Sequence, residues 1–283
     1  MTDTVRTAVI ALNKGIVTVQ YAVVGDLAVF ETDIILGTVD EVERQTALLR
    51  QRVATEGVVI TGERFRWPGA RVPFTIAPNL PNPERVREAI AHWEEHTRFR
   101  FVQRTNENDF VTFRAGTDCM SSVGRQTRQQ FVDLGPGCLR GQTIHEIGHV
   151  VGLWHEHSRD DRDQFVRIEE ANIDPSQLHN FTQRVTDGDD VGPYDYGSIM
   201  HYGSRVFTRN GRETIVAINP PGAAIGQRIA LSAGDIEAAN RLAPRESAFG
   251  ATDPDDPHGP MPFRPVEGRR RFRIGGDDGD GAP

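Results

Sequence analysis

This chain of 283 residues lacks an excess of positive charge and lacks long apolar stretches. The formal net charge is -8 and the pI is about 5.6. A nucleic acid or an anionic membrane surface is therefore not expected as the main partner, because both need a clustered positive field. No window approaches the roughly 18 uninterrupted apolar residues of a membrane-spanning helix. Residues Met1 to Gly15 lack a basic start followed by an apolar run, so no secretory signal is visible.

Lysine and cysteine are almost absent. Lys14 is the single lysine among 32 Lys and Arg residues, which indicates a coding bias rather than a function. The two cysteines, Cys119 and Cys138, are too few for a disulfide framework. They also lack the C-x-x-C spacing of a thiol redox site or a zinc knuckle. The residues alone leave open whether the two cysteines pair with each other.

Three regions of different composition follow one another along the chain. From Gly15 to Gly37, apolar β-branched residues alternate with polar ones around Gly25 and Asp26, which predicts a β-hairpin. Residues 58–244 combine strand-like and helical runs. Residues 245–283 are rich in Gly, Pro, Asp and Arg and contain few aliphatic side chains. This last region is expected to form a disordered tail.

The second region predicts a mixture of sheet and helix. An amphipathic helix is expected from Pro83-Glu84 to His96, where apolar residues recur at three- and four-residue spacing. Strand-like runs follow at Phe99 to Gln103, Phe110 to Arg114 and Gln130 to Leu134. A hairpin is expected around Asn210-Gly211, and a last helix from Ser232 to Leu242, capped by Ser232 with Asp235 three residues on.

The segment H-E-I-G-H-V-V-G-L-W-H carries the strongest chemical signal in the sequence. A helix expected from Thr143 to Val151 puts His145 and His149 on one face, where both can bind one zinc ion. Gly152 allows a sharp turn that brings His155 back as a third ligand. Three protein ligands leave an open position for water, which is typical of a catalytic rather than a structural zinc site.

An isolated H-x-x-x-H pair often lies on a helix by accident, but the longer pattern rarely does. In a chain with nine histidines, finding the Glu, the Gly and the third His in register by chance has odds on the order of one in ten thousand. The full pattern is the metzincin signature. It predicts one zinc ion per chain and Glu146 as the general base for water attacking a scissile carbonyl, without a covalent intermediate.

Three segments together resemble the astacin family of metallopeptidases. They are HEIGHVVGLWHEHSRDDRD, the SIMHY run from Ser198 to Tyr202, and CMSSVGR with Cys119 and Cys138. The likeness extends over roughly Gly62 to Leu242. It implies an α+β fold of the metzincin, zincin-like type, with a mixed N-terminal sheet, an active-site helix and a less regular C-terminal subdomain.

The resemblance also implies roles for individual residues. Met200 would form an apolar floor under the metal. Tyr202 would bind zinc in the resting enzyme, swing away when substrate binds, and donate a hydrogen bond to the developing oxyanion. Glu156 would anchor the mature N-terminus through water. The alternatives are a core tyrosine in a turn for Tyr202 and an ordinary surface acid for Glu156.

The cysteine pattern departs from that of the family, whose members usually carry two disulfides. Only the pair that resembles Cys119 and Cys138 is present, and Arg98 stands where the first cysteine of the other bridge is expected. The remaining bridge would close a loop of about 20 residues and contribute roughly 3 kcal/mol. It would require an oxidising compartment, so a secreted or exported protein is expected. Two free buried thiols are the alternative.

The front of the chain has a resemblance of its own. The run FETDIILG, from Phe30 to Gly37, is similar to the F-x-G-D motif of astacin pro-segments, whose aspartate caps the zinc and displaces its water. Asp33 would be that aspartate, giving the latent form a fourth metal ligand. Thr32 replaces the expected glycine, and a plain hairpin aspartate is the alternative. The resemblance makes residues 1–57 a pro-segment-like region and puts the mature N-terminus between Arg52 and Ile60.

These observations predict a zinc endopeptidase that is made latent and activated by cleavage. Its partners would be protein or peptide substrates and an activating protease, with the substrate antiparallel to an edge strand near Cys119 to Val123, as the resemblance implies. One alternative is a zinc amidohydrolase that cuts a non-protein amide polymer such as a cell-wall polymer. The other is a binding protein without turnover, and the presence of Glu146 beside all three histidines argues against it.

Overall fold

The computed structural model describes residues 5–12, 15–31, 33–53, 62–183 and 190–243. The expected tail, Thr32 and most of the expected cleavage region lie outside these residues. The boundaries of the three regions therefore stay predictions.

The described residues form eleven strands and four α-helices. The strands are β1 (Val5–Leu12), β2 (Gly15–Val24), β3 (Leu27–Phe30), β4 (Ile34–Thr38), β5 (Arg71–Ile76), β6 (Arg100–Gln103), β7 (Phe110–Ala115), β8 (Cys119–Ser121), β9 (Gln129–Leu134), β10 (Val166–Ile168) and β11 (Ile215–Ala217). The helices are α1 (Val39–Val53), α2 (Glu84–His96), α3 (Arg140–Val151) and α4 (Ala233–Leu242). Nine of these strands form one mixed sheet in the order β1-β2-β3-β4-β8-β9-β7-β5-β6. Sheet and helices together confirm the α+β class.

The front of the chain folds as an antiparallel meander. Strands β2 and β3 pair through a turn at Gly25, whose φ of +64° suits glycine, so the predicted hairpin is confirmed. Strand β3 then pairs with β4. Helix α1 follows immediately, and the Thr38 backbone N–H donates to Glu41 at 3.0 Å at its start. The meander buries a small apolar cluster that includes Tyr21, Phe30 and Val42.

Strand β4 joins this meander to the rest of the sheet. It pairs in parallel with β8, where Ile34 lies opposite Ser121. The Ser121 N–H also donates to the Asp33 carbonyl at 2.5 Å. Strand β8 is antiparallel to β9. The pairs β9–β7, β7–β5 and β5–β6 are parallel. The described part of residues 1–57, called the front segment below, therefore covers the edge that β8 would otherwise expose.

Helices α2 and α3 share the main apolar core with strands β5, β7 and β9. Two buried tryptophans fix the position of α3 by donating hydrogen bonds to its carbonyl oxygens. The Trp93 indole N–H lies 2.9 Å from the Ile144 carbonyl, and the Trp67 indole N–H lies 2.8 Å from the Val150 carbonyl. Both bonds satisfy polar indole groups that would otherwise be buried without a partner.

Helix α3 begins at Arg140, three residues before the expected start at Thr143. The Leu139 N–H donates to the Gln142 side chain at 3.2 Å, which caps the extra turn. Gly141 packs so closely against the Arg228 carbonyl that a Cβ would lie 1.8 Å from that oxygen. A tertiary contact and a local cap thus lengthen the helix beyond its apolar stripe.

The C-terminal part is less regular, as expected. Helix α4 carries the predicted cap, with the Asp235 N–H donating to Ser232 Oγ at 3.0 Å. The expected hairpin around Asn210-Gly211 is wrong, because β11 forms its two-stranded ladder with the distant strand β10. Across the turn, the Thr214 N–H donates to the Ser204 carbonyl at 2.7 Å, but the described residues form no strand ladder there.

Cys119 and Cys138 form a disulfide with a Cα–Cα distance of 5.8 Å, and the alternative of two free thiols is excluded. None of the helices in the described ranges is long and apolar enough to cross a membrane.

Candidate active site and metal centre

The three histidines of the motif meet at the C-terminal half of α3. His145 and His149 project from the helix itself. Gly152 ends the helix in the left-handed region with φ of +114°, and its N–H donates to the His149 carbonyl at 2.9 Å. The returning chain brings the His155 ring centroid within 4.7 Å of that of His149 and 5.3 Å of that of His145. All three imidazoles are buried.

The Nδ1 atom of each imidazole, called the outer nitrogen here, lies within hydrogen-bond distance of an acceptor. The Nε2 atoms are the inner nitrogens. His145 Nδ1 lies 2.8 Å from the Ile199 carbonyl, and His149 Nδ1 lies 2.9 Å from the Leu153 carbonyl. A carbonyl oxygen can only accept, so these Nδ1 atoms carry the proton and the Nε2 atoms are left as donors to a metal. His155 Nδ1 instead lies 2.6 Å from Glu31 Oε2.

Asp33 lies at the point where the inner nitrogens converge. Its Oδ2 is 3.1 Å from His145 Nε2 and 3.0 Å from His155 Nε2, and its Oδ1 is 3.6 Å from His149 Nε2. One ligand atom from each of the four residues can be chosen so that all lie within 4.8 Å of one another.

The residues present fit a zinc ion. Buried polar atoms are normally hydrogen-bonded, yet His149 Nε2 and Asp33 Oδ1 are buried without a hydrogen-bond partner. Three imidazole nitrogens and a carboxylate are a typical donor set for tetrahedral zinc. A bound cation would satisfy both orphaned atoms at once.

The charges of the site favour a cation at the same point. Burial lowers the pKa of His145 to about 3, helped by the charge of Arg228, so this imidazole is neutral as a metal ligand must be. Burial also opposes a charge on His155, but the carboxylates of Asp33 and Glu31 outweigh it and raise its pKa to about 9. A cation is therefore stabilised beside His155, whether it is a proton or a metal ion.

Glu146 lies on α3 next to His145 and is almost completely buried. Its Oε2 atom has no hydrogen-bond partner. Burial first, and then the negative charge of Asp33, raise the pKa of Glu146 well above its usual range. A carboxyl group with a raised pKa beside a metal centre is suited to accept a proton from water and to give it back.

Met200 packs against α3 and belongs to the turn at Ile199 and Met200. A Cβ built on Gly148 would be 2.5 Å from Met200 Sδ, so only a glycine lets the helix approach the turn this closely. Asp235 on α4 holds that turn by accepting from Ser198 Oγ at 2.6 Å and from the Ile199 N–H at 2.9 Å.

Tyr202 packs beside the metal-ligand candidate His155. Its ring stacks on His157 with centroids 4.0 Å apart and lies 4.5 Å from the His155 ring centroid. Its hydroxyl donates to the Glu31 carbonyl at 2.5 Å. The side chain is therefore next to the metal centre but held by the front segment.

Glu156 is not an ordinary surface acid. Its Oε1 accepts a hydrogen bond from the Asp195 N–H at 2.8 Å and lies 3.6 Å from Arg159 Nη1. Burial raises the pKa of Glu156 to about 8, against the lowering effect of these two partners.

Two residues at the site, Glu31 and Arg228, were not predicted from the sequence. Glu31 contacts His155 although 124 residues separate them, and no local pattern marks such a contact. Arg228 donates to the His201 carbonyl at 2.9 Å, and its charge acts on His145 and Glu146. Arg228 belongs to no sequence motif, so nothing in the sequence predicted its place at the site.

Comparison with known proteins agrees with this geometry. The model of the astacin peptidase family matches residues 59–243. Protein SpAN of Strongylocentrotus purpuratus is 38% identical over 226 residues, which cover 75% of this chain and 36% of SpAN. Blastula protease 10 of Paracentrotus lividus is 40% identical over 195 residues, which cover 64% of this chain and 32% of that protein. The chain thus spans about a third of the length of these relatives.

A solved structure also matches. The hatching enzyme zinc-protease High choriolytic enzyme 1 from Oryzias latipes aligns with a TM-score of 0.57 and 37% identity, over 61% of this chain and 88% of that one. The matched family model covers more than half of the chain and includes all three motif histidines. The chain therefore belongs to the astacin family of zinc metalloendopeptidases.

Proposed function

We propose that this protein hydrolyses peptide bonds as a zinc endopeptidase and that the intact chain is its latent form. His145, His149 and His155 would hold the zinc ion in both forms, and Asp33 would be the fourth ligand in the latent form only. Zinc, when bound, acts as a Lewis acid that activates water for attack on a carbonyl. The observation that carries the proposal is the carboxylate of Asp33 among the three inner nitrogens.

The remaining steps belong to residues of the chain. Glu146 accepts the proton of the attacking water and returns it to the leaving amine, for which its place beside His145 on α3 and its unpartnered oxygen are suited. Tyr202 donates a hydrogen bond to the oxyanion once its hydroxyl is free of the Glu31 carbonyl. Removal of the front segment would therefore both open the metal and release Tyr202.

The direction of β4 supports latency. A peptide substrate is expected to add to β8 as an antiparallel strand. Strand β4 instead runs parallel to β8, with Ile34 opposite Ser121. The front segment therefore occupies the substrate's edge with its peptide bonds in the reverse direction, which explains how it can block the site without being presented as a substrate.

The domain organisation is part of the same proposal. Residues 1–57 act as the pro-segment, residues 58–244 form the peptidase domain, and residues 245–283 follow as a tail. An activating protease would cut in the region from Arg52 to Ile60. The Cys119–Cys138 disulfide favours export to an oxidising compartment, because such bonds persist there.

The family match favours peptide bonds over the two alternative functions. A zinc amidohydrolase acting on a non-protein polymer would share the same ligands, so digestion of casein beside purified peptidoglycan separates the two activities. Cleavage of casein alone supports the proposal, and cleavage of peptidoglycan alone contradicts it. A binding protein without turnover would cut neither, although it would still bind zinc.

Latency is tested by replacing Asp33 in the uncleaved chain. Asp33→Ala should give partial activity on a quenched peptide without proteolysis, because the carboxylate no longer closes the metal site. Asp26→Ala is the matched control, since Asp26 lies in the exposed hairpin turn of the same segment and should leave the chain inactive. Uncleaved wild type that is as active as a form lacking the front segment would show that Asp33 is only a hairpin residue.

A further inference from the structure

Glu31 is the second acidic residue that the front segment inserts into the metal centre. Its side chain is fully buried, and Oε2 lies 2.6 Å from His155 Nδ1. Its carbonyl oxygen accepts from the Tyr202 hydroxyl at 2.5 Å. One residue therefore contacts both a metal-ligand candidate and the tyrosine beside it.

The backbone of Glu31 is strained in a way that permits both contacts. Its φ is +48°, in the left-handed region that a side chain with a Cβ rarely adopts. Such strain persists only where surrounding contacts overdetermine it, and it clusters at functional sites. Here the carboxylate and the carbonyl of the same residue point at two different groups of the centre.

The other two histidines are oriented by the peptidase part of the chain. His145 and His149 bond through Nδ1 to the carbonyls of Ile199 and Leu153, which remain after the front segment is removed. His155 bonds through Nδ1 to Glu31, which does not remain. The Nδ1 hydrogen bond of the third histidine is therefore supplied by the front segment, although its ring also packs against His157 and Tyr202.

We infer that Glu31 is a positioning residue that acts through His155, so that the front segment helps to assemble and retain the zinc ion as well as closing the site. This inference rests on the proposed latent form with the three histidines as ligands. A carboxylate that accepts the Nδ1 proton fixes the tautomer and ring orientation that leave Nε2 for the metal. Its negative charge also stabilises a cation at the centre.

Zinc itself is the probe for this inference. The intact chain and its variants are loaded with zinc, and the release of the metal to a chromophoric chelator is followed over time. Glu31→Gln keeps the length of the side chain and removes its charge. Glu31→Gly removes the side chain, while glycine adopts the positive φ freely, so the turn and Asp33 are retained. Loss of such a partner typically weakens metal binding by about 10- to 100-fold, and both variants should release zinc faster by about this factor.

Glu43→Gln is the matched control, because Glu43 belongs to the same segment and its exposed carboxylate contacts only Arg6 among the ion pairs of the described residues. It should release zinc at the wild-type rate. Visible spectra of the cobalt-substituted chain add a second readout, since reorientation of His155 changes the ligand field in the Glu31 variants and not in the control.

Two outcomes overturn the inference. In the first, both Glu31 variants retain zinc as the wild type does. In the second, the Glu31 variants gain the full peptidase activity of the truncated chain, which would mean that zinc loss follows from detachment of the front segment and not from His155. Failure of the proposed latency is read separately, from the Asp33→Ala variant on a quenched peptide.

Discussion

The carboxylate of Asp235 ties helix α4 to the turn that contains Met200. It is almost completely buried and accepts hydrogen bonds from Ser198 Oγ at 2.6 Å, from the Ile199 N–H at 2.9 Å and from the Ser232 N–H at 2.9 Å. Replacing it with alanine removes the acceptor for all three donors. We expect this single change to destabilise the protein substantially, because all three donors lose their partner.

The magnitude follows from the surroundings of each donor. The Ile199 N–H is buried and cannot turn to another acceptor, so leaving it unpaired costs about 2 kcal/mol. The bond from Ser198 Oγ and the partly exposed bond from the Ser232 N–H contribute about 1 kcal/mol each. Asp235→Ala should therefore lower the free energy of unfolding by about 4 kcal/mol.

Urea unfolding of the intact chain measures this loss, with Asp235→Asn as an intermediate case. The asparagine keeps one acceptor oxygen and should lose about half as much stability. Glu237→Ala is the matched control on the same helix, because its exposed pair with Arg241 contributes only about 0.5 kcal/mol. A loss below about 1 kcal/mol for Asp235→Ala would refute this account of the turn.

Three further changes test the site. Glu146→Gln should keep the zinc content but abolish peptide hydrolysis by the truncated chain, because the amide cannot accept the proton of water. Near-native turnover would show that another residue is the general base. Tyr202→Phe should lower kcat with little change in KM, because its hydroxyl is needed mainly when charge develops, and an effect confined to KM would contradict this role. Gly148→Ala should cost about 1–3 kcal/mol in urea unfolding, because its Cβ would press on Met200 Sδ, whereas Gly137→Ala, which has open space, should not.

The features predicted correctly from the sequence are those with local causes. Helical spacing places His145 and His149 on one face, and Gly152 ends that helix because it can adopt a positive φ. The Gly25 turn and the Ser232 cap are likewise set by residues within a few positions of each other. Each of these could be read from the chain because the interacting groups are neighbours along it.

The features that the sequence did not show depend on contacts between distant segments. Strand β4 meets β8 across more than 80 residues, and nothing in the alternation of either strand specifies the partner or its direction. The early start of α3 combines a local cap with the close approach of Gly141 to the distant Arg228 carbonyl, which the sequence does not show. The contact of Glu31 with His155 forms only when the front segment is in position on the peptidase part. A motif could therefore suggest Asp33 but not the role of Glu31.

Arg98, at the place where the resemblance implies the first cysteine of a second bridge, lies beside the C-terminal end of α4. Arg98, which stands where the family usually has a cysteine, donates its N–H to Asn240 Oδ1 at 2.8 Å near the end of that helix. One such exposed bond contributes about 1 kcal/mol, whereas a disulfide typically contributes about 2–4 kcal/mol. The C-terminal turn of α4 should therefore open at a lower free energy than its first turn, where Asp235 is buried against the Met200 turn. Because the weak tie and the strong one lie at opposite ends of the helix, opening of the last turn of α4 should leave the turn that contains Met200 in place.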